Sequence, residues 1–265
     1  MNTFAKYLKL LPVFFRTSAM ADFEYRMNVA VKIFGDIIWY SCQLSVFEVL
    51  FKHTSTLGGW TIDGTRVFMG LLFVSDALYM IIFSENLDRF SDRVRKGELD
   101  LLLVKPVNAQ FMISFKKMAT AYCGNLVIAA LWLSFALSRY PDPIQWWRLC
   151  LLLIVVPCSV AIAYSMRFLF STVALILTKA DNISFVWFQL YRLGLRPDSI
   201  YPVWLRYSLL SFLPVAFLAS VPARLILHGE SLWWLVAAIG VATTCVWITT
   251  RFWKFALRFY TSASS

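Results

Sequence analysis

Five apolar runs dominate this chain, at residues 31–51, 62–83, 113–137, 146–177 and 232–250. Each comes to the roughly 20 residues that an α-helix needs to cross the ~30 Å hydrocarbon core of a bilayer. A sixth run, 183–200, is shorter and carries Arg192. Inside lipid every backbone N–H and C=O must be satisfied within the segment, so such runs fold as helices. Composition agrees: 60% of residues are hydrophobic and only 15% charged, with a mean hydropathy of +0.67. Soluble domains sit nearer 45–50% apolar. The expectation is an all-α integral membrane protein with about six transmembrane helices, forming one domain over 1–265. No stretch outside the runs is long enough for a soluble domain.

The net charge of +10 is distributed unevenly. Sixteen of the 25 cations fall on alternate connections: the N-terminal arm, the loop at 84–117, Lys179, and the tail from Arg251. By the positive-inside rule that face is cytoplasmic, and both termini lie on it. The opposite loops are rich in tryptophan, including Trp60, Trp146, Trp204 and Trp233, which favours the headgroup region. An even number of crossings follows, so 183–200 and 203–228 do not both span. Either 183–200 crosses and 203–228 dips in from outside and returns, or 183–200 stays at the cytoplasmic interface and the second stretch crosses. Pro202, Pro214 and Pro222 favour the first choice, because proline breaks a spanning helix. The run 146–177 is longer than a bilayer requires, so it tilts, kinks at Pro157 or projects.

The arm at 1–30 has Tyr7, Leu8, Leu11 and Phe15 at helical spacing, with Lys6, Lys9 and Arg16 off that stripe. This is the pattern of a helix lying in the membrane interface, against the alternative of a frayed tail. Pro12 and Arg16 interrupt any signal-peptide core. The five cysteines lie inside apolar runs, and the two histidines, His53 and His228, are isolated. Neither supplies a metal-ligand pattern. No G-x-S-x-G or H-E-x-x-H motif occurs, and the nearest match to a phosphate-binding loop, Gly59 to Gly64, lacks the following Lys-Ser/Thr. Ionisable residues within spans are costly and count as functional candidates. Asp36 with Lys32, and Glu48 with Lys52, have i,i+4 spacing and are expected to pair within their helices. Asp76 and Arg167 lie deeper. They are expected to meet in the bundle as a structural ion pair or as a gate.

The loop 84–108 carries most of the information. Glu85 and Arg89 can pair at i,i+4, Asp88 lies two turns from Arg95, and Asp92 can reach Arg95 or Lys96. Leu87, Phe90 and Val94 form an apolar stripe. Gly97 ends such a helix, and a second amphipathic turn runs from Leu99 to Val104 before Pro106. A short charged helix held between two spans suits docking of a cytoplasmic partner; the alternative is a solvated loop on lipid headgroups.

The run Gly97-Glu98-Leu99-Asp100-Leu101-Leu102-Leu103-Val104-Lys105-Pro106-Val107 resembles the G-x-L-[DE]-x-L-L-x-x-P-[VI] signature of type-2 ABC exporter permeases. The order of elements is similar as well, including Tyr201-Pro202, Leu213-Pro214 and Pro222-Ala223-Arg224 where that family has a re-entrant pair before its last span. The short run 183–200 with Arg192 departs from the family at its fifth span. The resemblance implies a permease subunit in a bacterial-type inner membrane that exports an amphipathic, lipid-like, glycan-like or drug-like substrate. It implies no cofactor in this chain, with ATP and Mg bound by separate ABC ATPase subunits. The other implied partners are a second permease chain, identical or paralogous, and membrane lipids; nucleic acid is not among them. The ATPase-coupling residues implied are Leu87, Asp88, Arg89, Phe90, Arg93, Arg95, Gly97, Glu98, Leu99, Asp100 and Pro106. A membrane enzyme acting on lipids and a non-catalytic assembly factor are the competing readings.

Overall fold

The computed structural model describes residues 3–173, 175–176, 181–229 and 231–260, and its regular elements are all helical. The sequence expectation of an all-α membrane protein holds: five of the helical segments are long and apolar enough to cross a bilayer. The chain opens with α1 (Thr3–Glu24) and α2 (Arg26–Phe51). After the 52–61 loop, α3 (Ile62–Tyr79) starts at Thr61, whose hydroxyl accepts the Gly64 N–H at 3.2 Å and caps the helix.

α3 is the centre of the bundle. Val67, Phe68, Met69, Leu71, Leu72 and Phe73 are all buried although they point in every direction around the helix. A helix apolar on all sides belongs in a core rather than at a surface. α3 and its continuation are mostly buried, whereas α2 is mostly exposed, which leaves α2 at the periphery. Gly70 lets the later helix around Leu133 come close, since a Cβ there would lie 3.0 Å from Leu133 Cα.

The second span does not stop where its apolar run ends. A π-helical turn (Met80–Ser84) follows α3, then α4 (Glu85–Leu87) and α5 (Phe90–Arg95), making one nearly continuous helical path of 34 residues. At 1.5 Å per residue that is about 51 Å, well beyond a hydrocarbon core of ~30 Å. Gly97 ends it with φ +69°, a left-handed conformation that favours glycine. α6 (Glu98–Leu103) and α7 (Ala109–Phe115) then return the chain to the bundle.

The third run, expected as one helix over 113–137, is instead divided. α7 ends at Phe115, residues 116–119 are irregular, a 3-10 turn covers Thr120–Tyr122, and α8 (Cys123–Ser138) resumes. The fourth run forms α9 (Trp146–Cys150) and α10 (Leu152–Val173), with Pro157 inside α10. Its expected end at 177, together with Lys179, lies outside the described residues.

α11 (Asp181–Leu193) is only 13 residues long, about 20 Å, but the chain continues beyond it as a turn and a 3-10 helix, Asp198–Ile200. Ser199 Oγ donates to the Gly58 carbonyl at 2.7 Å and accepts from Trp60 Nε1 at 3.0 Å. Trp187 of α11 packs on Phe170 near the C-terminal end of α10, ring centroids 5.8 Å apart, and Ser199 stands against the loop joining α2 to α3. The segment therefore runs from one end of the bundle to the other.

α12 (Val203–Ser211), a 3-10 turn (Val215–Leu218) and α13 (Ser220–Leu227) form a bent pair that starts and finishes at that same end. His228 packs its ring edge-on to Trp60 at 5.7 Å. The tip reaches the middle of α10, where Ser159 Oγ donates to the Phe217 carbonyl at 2.7 Å. Pro202 precedes α12, Pro214 stands at the tip, and Pro222 sits in the first turn of α13, where its missing N–H costs nothing. α14 (Trp233–Ala256) closes the bundle against α10.

Candidate coupling site

The loop 84–108 forms a rigid charged element anchored by three sets of contacts. The first comes from the π turn. Its widened geometry leaves the Ile81 carbonyl free to accept the Ala119 N–H at 2.8 Å. One turn on, fully buried Asn86 donates Nδ2 to the Ser114 carbonyl at 3.0 Å and to the Lys117 carbonyl, and accepts the Lys117 N–H at 3.2 Å. Glu85 takes Lys117 Nζ at 2.9 Å and Arg89 at 3.2 Å. The Lys117 N–H and carbonyl and the Ala119 N–H thus find partners on α4 and the π turn, which helps the helix to break there.

α1 binds the other side of the same break. Ser18 Oγ accepts the Met118 N–H at 2.9 Å, and Asp22 Oδ2 accepts from Thr120 Oγ1 at 2.6 Å and the Ala121 N–H at 3.1 Å. Tyr7 OH accepts the Asn108 N–H at 3.2 Å, and the Asn108 side chain caps α7.

The third set ties the element to α10 and α14. Asp88 Oδ1 accepts from Arg167 Nε at 3.1 Å and Nη2 at 2.9 Å. Arg167 is 2% exposed, whereas the Asp88 side chain is 44% exposed, so the pair stands at the edge of the core. Phe90 lies against Phe168 and Trp253, with ring centroids 6.4 and 6.1 Å away. Ser171 Oγ reaches the Leu87 carbonyl at 3.4 Å. Asp92 pairs with Arg95 one turn along α5. Asp100 on α6 neighbours Tyr260 of the C-terminal tail, where burial, and after it the adjacent carboxylate, holds the phenol above its ordinary range.

These contacts correct several sequence expectations. Asp76 and Arg167 do not meet. Tyr191 OH of α11 donates to Asp76 Oδ1 at 2.7 Å, and Arg167 takes Asp88, which lies 12 residues or about 18 Å further along the helix. Asp88 accordingly does not pair with Arg95. Asp36 accepts from Asn125 of α8, while Lys32 lies over the Tyr122 ring. Glu48 pairs across helices with Arg66 at 2.7 Å instead of with Lys52. Of the residues assigned to ATPase contact, Leu87, Phe90 and Leu99 face the bundle and are at most 2% exposed. The outward face is made by Arg89, Asp92, Arg95, Glu98 and Pro106 together with Leu101, Leu103 and Val104. Leu101 is 71% exposed and Val104 85%. Arg93 and Gly97 are half-buried between the two faces.

At the opposite end, Arg224 of α13 donates Nη2 to Asp198 Oδ2 at 3.0 Å, and Arg206 of α12 donates Nε to the same oxygen at 3.0 Å. Asp198 is 1% exposed, and its N–H donates to Ser220 Oγ at 3.2 Å. One carboxylate therefore fastens both arms of the bent pair to the end of the α11 segment. Arg224 stands out in the sequence within Pro222-Ala223-Arg224, but Asp198 does not, because its partners lie 8 and 26 residues away.

No curated protein and no solved structure matches this chain. A family model described as ABC-2 family transporter protein matches residues 37–264, from the middle of α2 through the tail, and so takes in the whole of the anchored element and the bent pair. The chain belongs to the ABC-2 transporter family and is the permease of an ABC transporter.

Proposed function

We propose that this permease is the membrane half of an ATP-driven exporter whose ATPase, carrying ATP and Mg, is a separate chain that docks on α5 and α6 at the cytoplasmic face. The observation that carries this reading is the two-sided character of the element. Its inner face is fixed to α10 and α14 through Asp88–Arg167 and Phe90–Trp253, while its outer face presents Leu101 and Val104 to solvent. Single exposed leucines are ordinary, but two apolar side chains this bare, on a short helix with charges on the neighbouring turn, match the anchor-and-rim pattern of a protein contact. A push on α6 passes through the Gly97 turn to α5, which ends the helical path that runs on from α3 to Arg95.

In this reading both termini are cytoplasmic, the α11 segment is the fifth of six crossings, and α12–α13 is re-entrant from outside. A second permease chain, identical or paralogous, completes the path. The substrate is amphipathic or lipid-like, because the spans offer aromatic rings and few charges. The test is to purify the permease with its ATPase and compare Leu101→Asp and Val104→Asp with the parent. The variants should fold normally yet lose ATPase binding or permease-dependent hydrolysis. Unchanged binding and hydrolysis in the double variant would remove the docking assignment.

A further inference from the structure

Two cavities meet at the elbow between α1 and α2, and they differ in chemistry. One, of about 170 Å³, is bordered by the charged side chains Lys32, Arg89, Lys117, Glu85 and Asp22 among apolar neighbours. The other, of about 610 Å³, is bordered chiefly by apolar groups, among them Phe15, Phe23 and Cys123, with Arg26 at its edge. They share Asp22, Val29 and Ala121 as a common wall. Phe23 is 71% exposed and Phe15 42%, so the larger cavity opens on the outside of the bundle, where lipid lies.

The side chains lining the smaller cavity carry one excess positive charge, Lys32, Arg89 and Lys117 against Asp22 and Glu85. Asp22 is engaged by Thr120 and the Ala121 N–H. Glu85 is engaged by Lys117 and Arg89. Asp36, one turn beyond Lys32, accepts from Asn125. Lys32 makes no ion pair among the described residues, and its Nζ lies 5.7 Å from the centroid of the Tyr122 ring. The cations Arg26, Lys32, Arg89 and Lys117 thus outnumber the carboxylates Asp22 and Glu85 lining the two cavities. One water occupies about 30 Å³ of liquid, so 170 Å³ has room for a phosphodiester. The adjoining cavity lies within the range of about 300–1,000 Å³ usual for small-molecule sites. A basic pocket between helices at the membrane surface is the setting in which anionic headgroups bind.

We infer that this elbow is a binding site for one anionic phospholipid, with its phosphate among Lys32, Arg89 and Lys117 and an acyl chain in the apolar cavity. The lipid would join α1 and α2 to α4, because Glu85 and Arg89 belong to the anchored element. The inference rests on the two cavities and on membrane embedding, and does not need the export reading.

The test uses the purified full chain in detergent, with native mass spectrometry against phosphatidylglycerol and phosphatidylcholine of identical acyl chains. One phosphatidylglycerol should be retained about tenfold more strongly than phosphatidylcholine. Lys32→Gln should lower that retention about fivefold while Lys32→Arg keeps it. Val29→Trp, which fills the shared wall, should remove the preference. Thermal unfolding of each variant reports folding separately. Equal retention of the two lipids, or retention unchanged in a folded Lys32→Gln and a folded Val29→Trp, would overturn the site. Displacement of the lipid by millimolar inorganic phosphate alone would show a free-anion site and overturn the lipid assignment.

Discussion

Asp88→Asn and Arg167→Gln, made singly and together, test the pairing that fixes the anchored element to α10. At 2.9 Å and an effective dielectric of ~20, the gross attraction between the two groups is about 6 kcal/mol. Much of this offsets the desolvation of Arg167, which is 2% exposed. Breaking a fully buried pair costs about 3–5 kcal/mol and an exposed pair about 0–1 kcal/mol. With Asp88 at 44% exposure the pair falls between these limits, so Asp88→Asn should destabilise by about 2 kcal/mol. Unfolding in detergent, followed by tryptophan fluorescence, gives the four free energies of the cycle. Groups in direct contact should show a coupling of about 1–3 kcal/mol. The parallel cycle of Asp76→Asn with Arg167→Gln should be additive to within about 0.5 kcal/mol, since Asp76 is held by Tyr191. An additive Asp88/Arg167 cycle, or stronger coupling in the Asp76/Arg167 cycle, would refute the assigned pairing.

Gly97→Ala should cost about 1–2 kcal/mol, because φ is +69° there, and should loosen α6 relative to α5; proteolysis within 96–104 of the folded protein would report it. Asn86→Leu removes three hydrogen bonds to the 114–117 backbone and should destabilise by about 3 kcal/mol, measured by the same unfolding assay. Asp198→Ala leaves Arg224, itself 8% exposed, beside a lost carboxylate; stability should fall by about 3 kcal/mol, and faster proteolysis should be confined to 201–229.

Much of the architecture is readable from local pattern. The runs at 31–51 and 232–250 nearly coincide with α2 and α14, because a lipid-facing helix is specified by its own apolar length. The stripe Leu87, Phe90 and Val94 and the stop at Gly97 are legible for the same reason: both are properties of one turn and its neighbours. What that stripe covers is not legible. Amphipathicity marks a buried face without saying whether the chain's own bundle or a partner buries it. Leu87 and Phe90 turn inward on α10 and α14, which leaves the contact face to Leu101 and Val104.

The break at 116–119 is hidden because the flanking residues are apolar on both sides. The available signal is the pair Lys116–Lys117, which sits poorly inside a span. Its cause is Asn86, some 30 residues upstream, which satisfies the backbone that the break exposes. Arg167 illustrates the same limit: spacing within a helix suggests neighbours, but its carboxylate lies 79 positions away and is selected by the register of α10 against α3. Asp198 lies in a turn with no periodicity at all, so only the folded arrangement reveals that two arginines converge on it.

The sidedness of the anchored element is the most direct measurement to make. With the five native cysteines replaced by serine, Ser91→Cys on α5 and Thr56→Cys in the loop between α2 and α3 can each be labelled with a membrane-impermeant maleimide. The Ser91→Cys variant should react in inside-out vesicles and stay protected in intact cells, and the Thr56→Cys variant should show the reverse. Reaction of the Ser91→Cys variant from the outside of intact cells would place α5 and α6 away from any cytoplasmic ATPase and contradict the docking assignment outright.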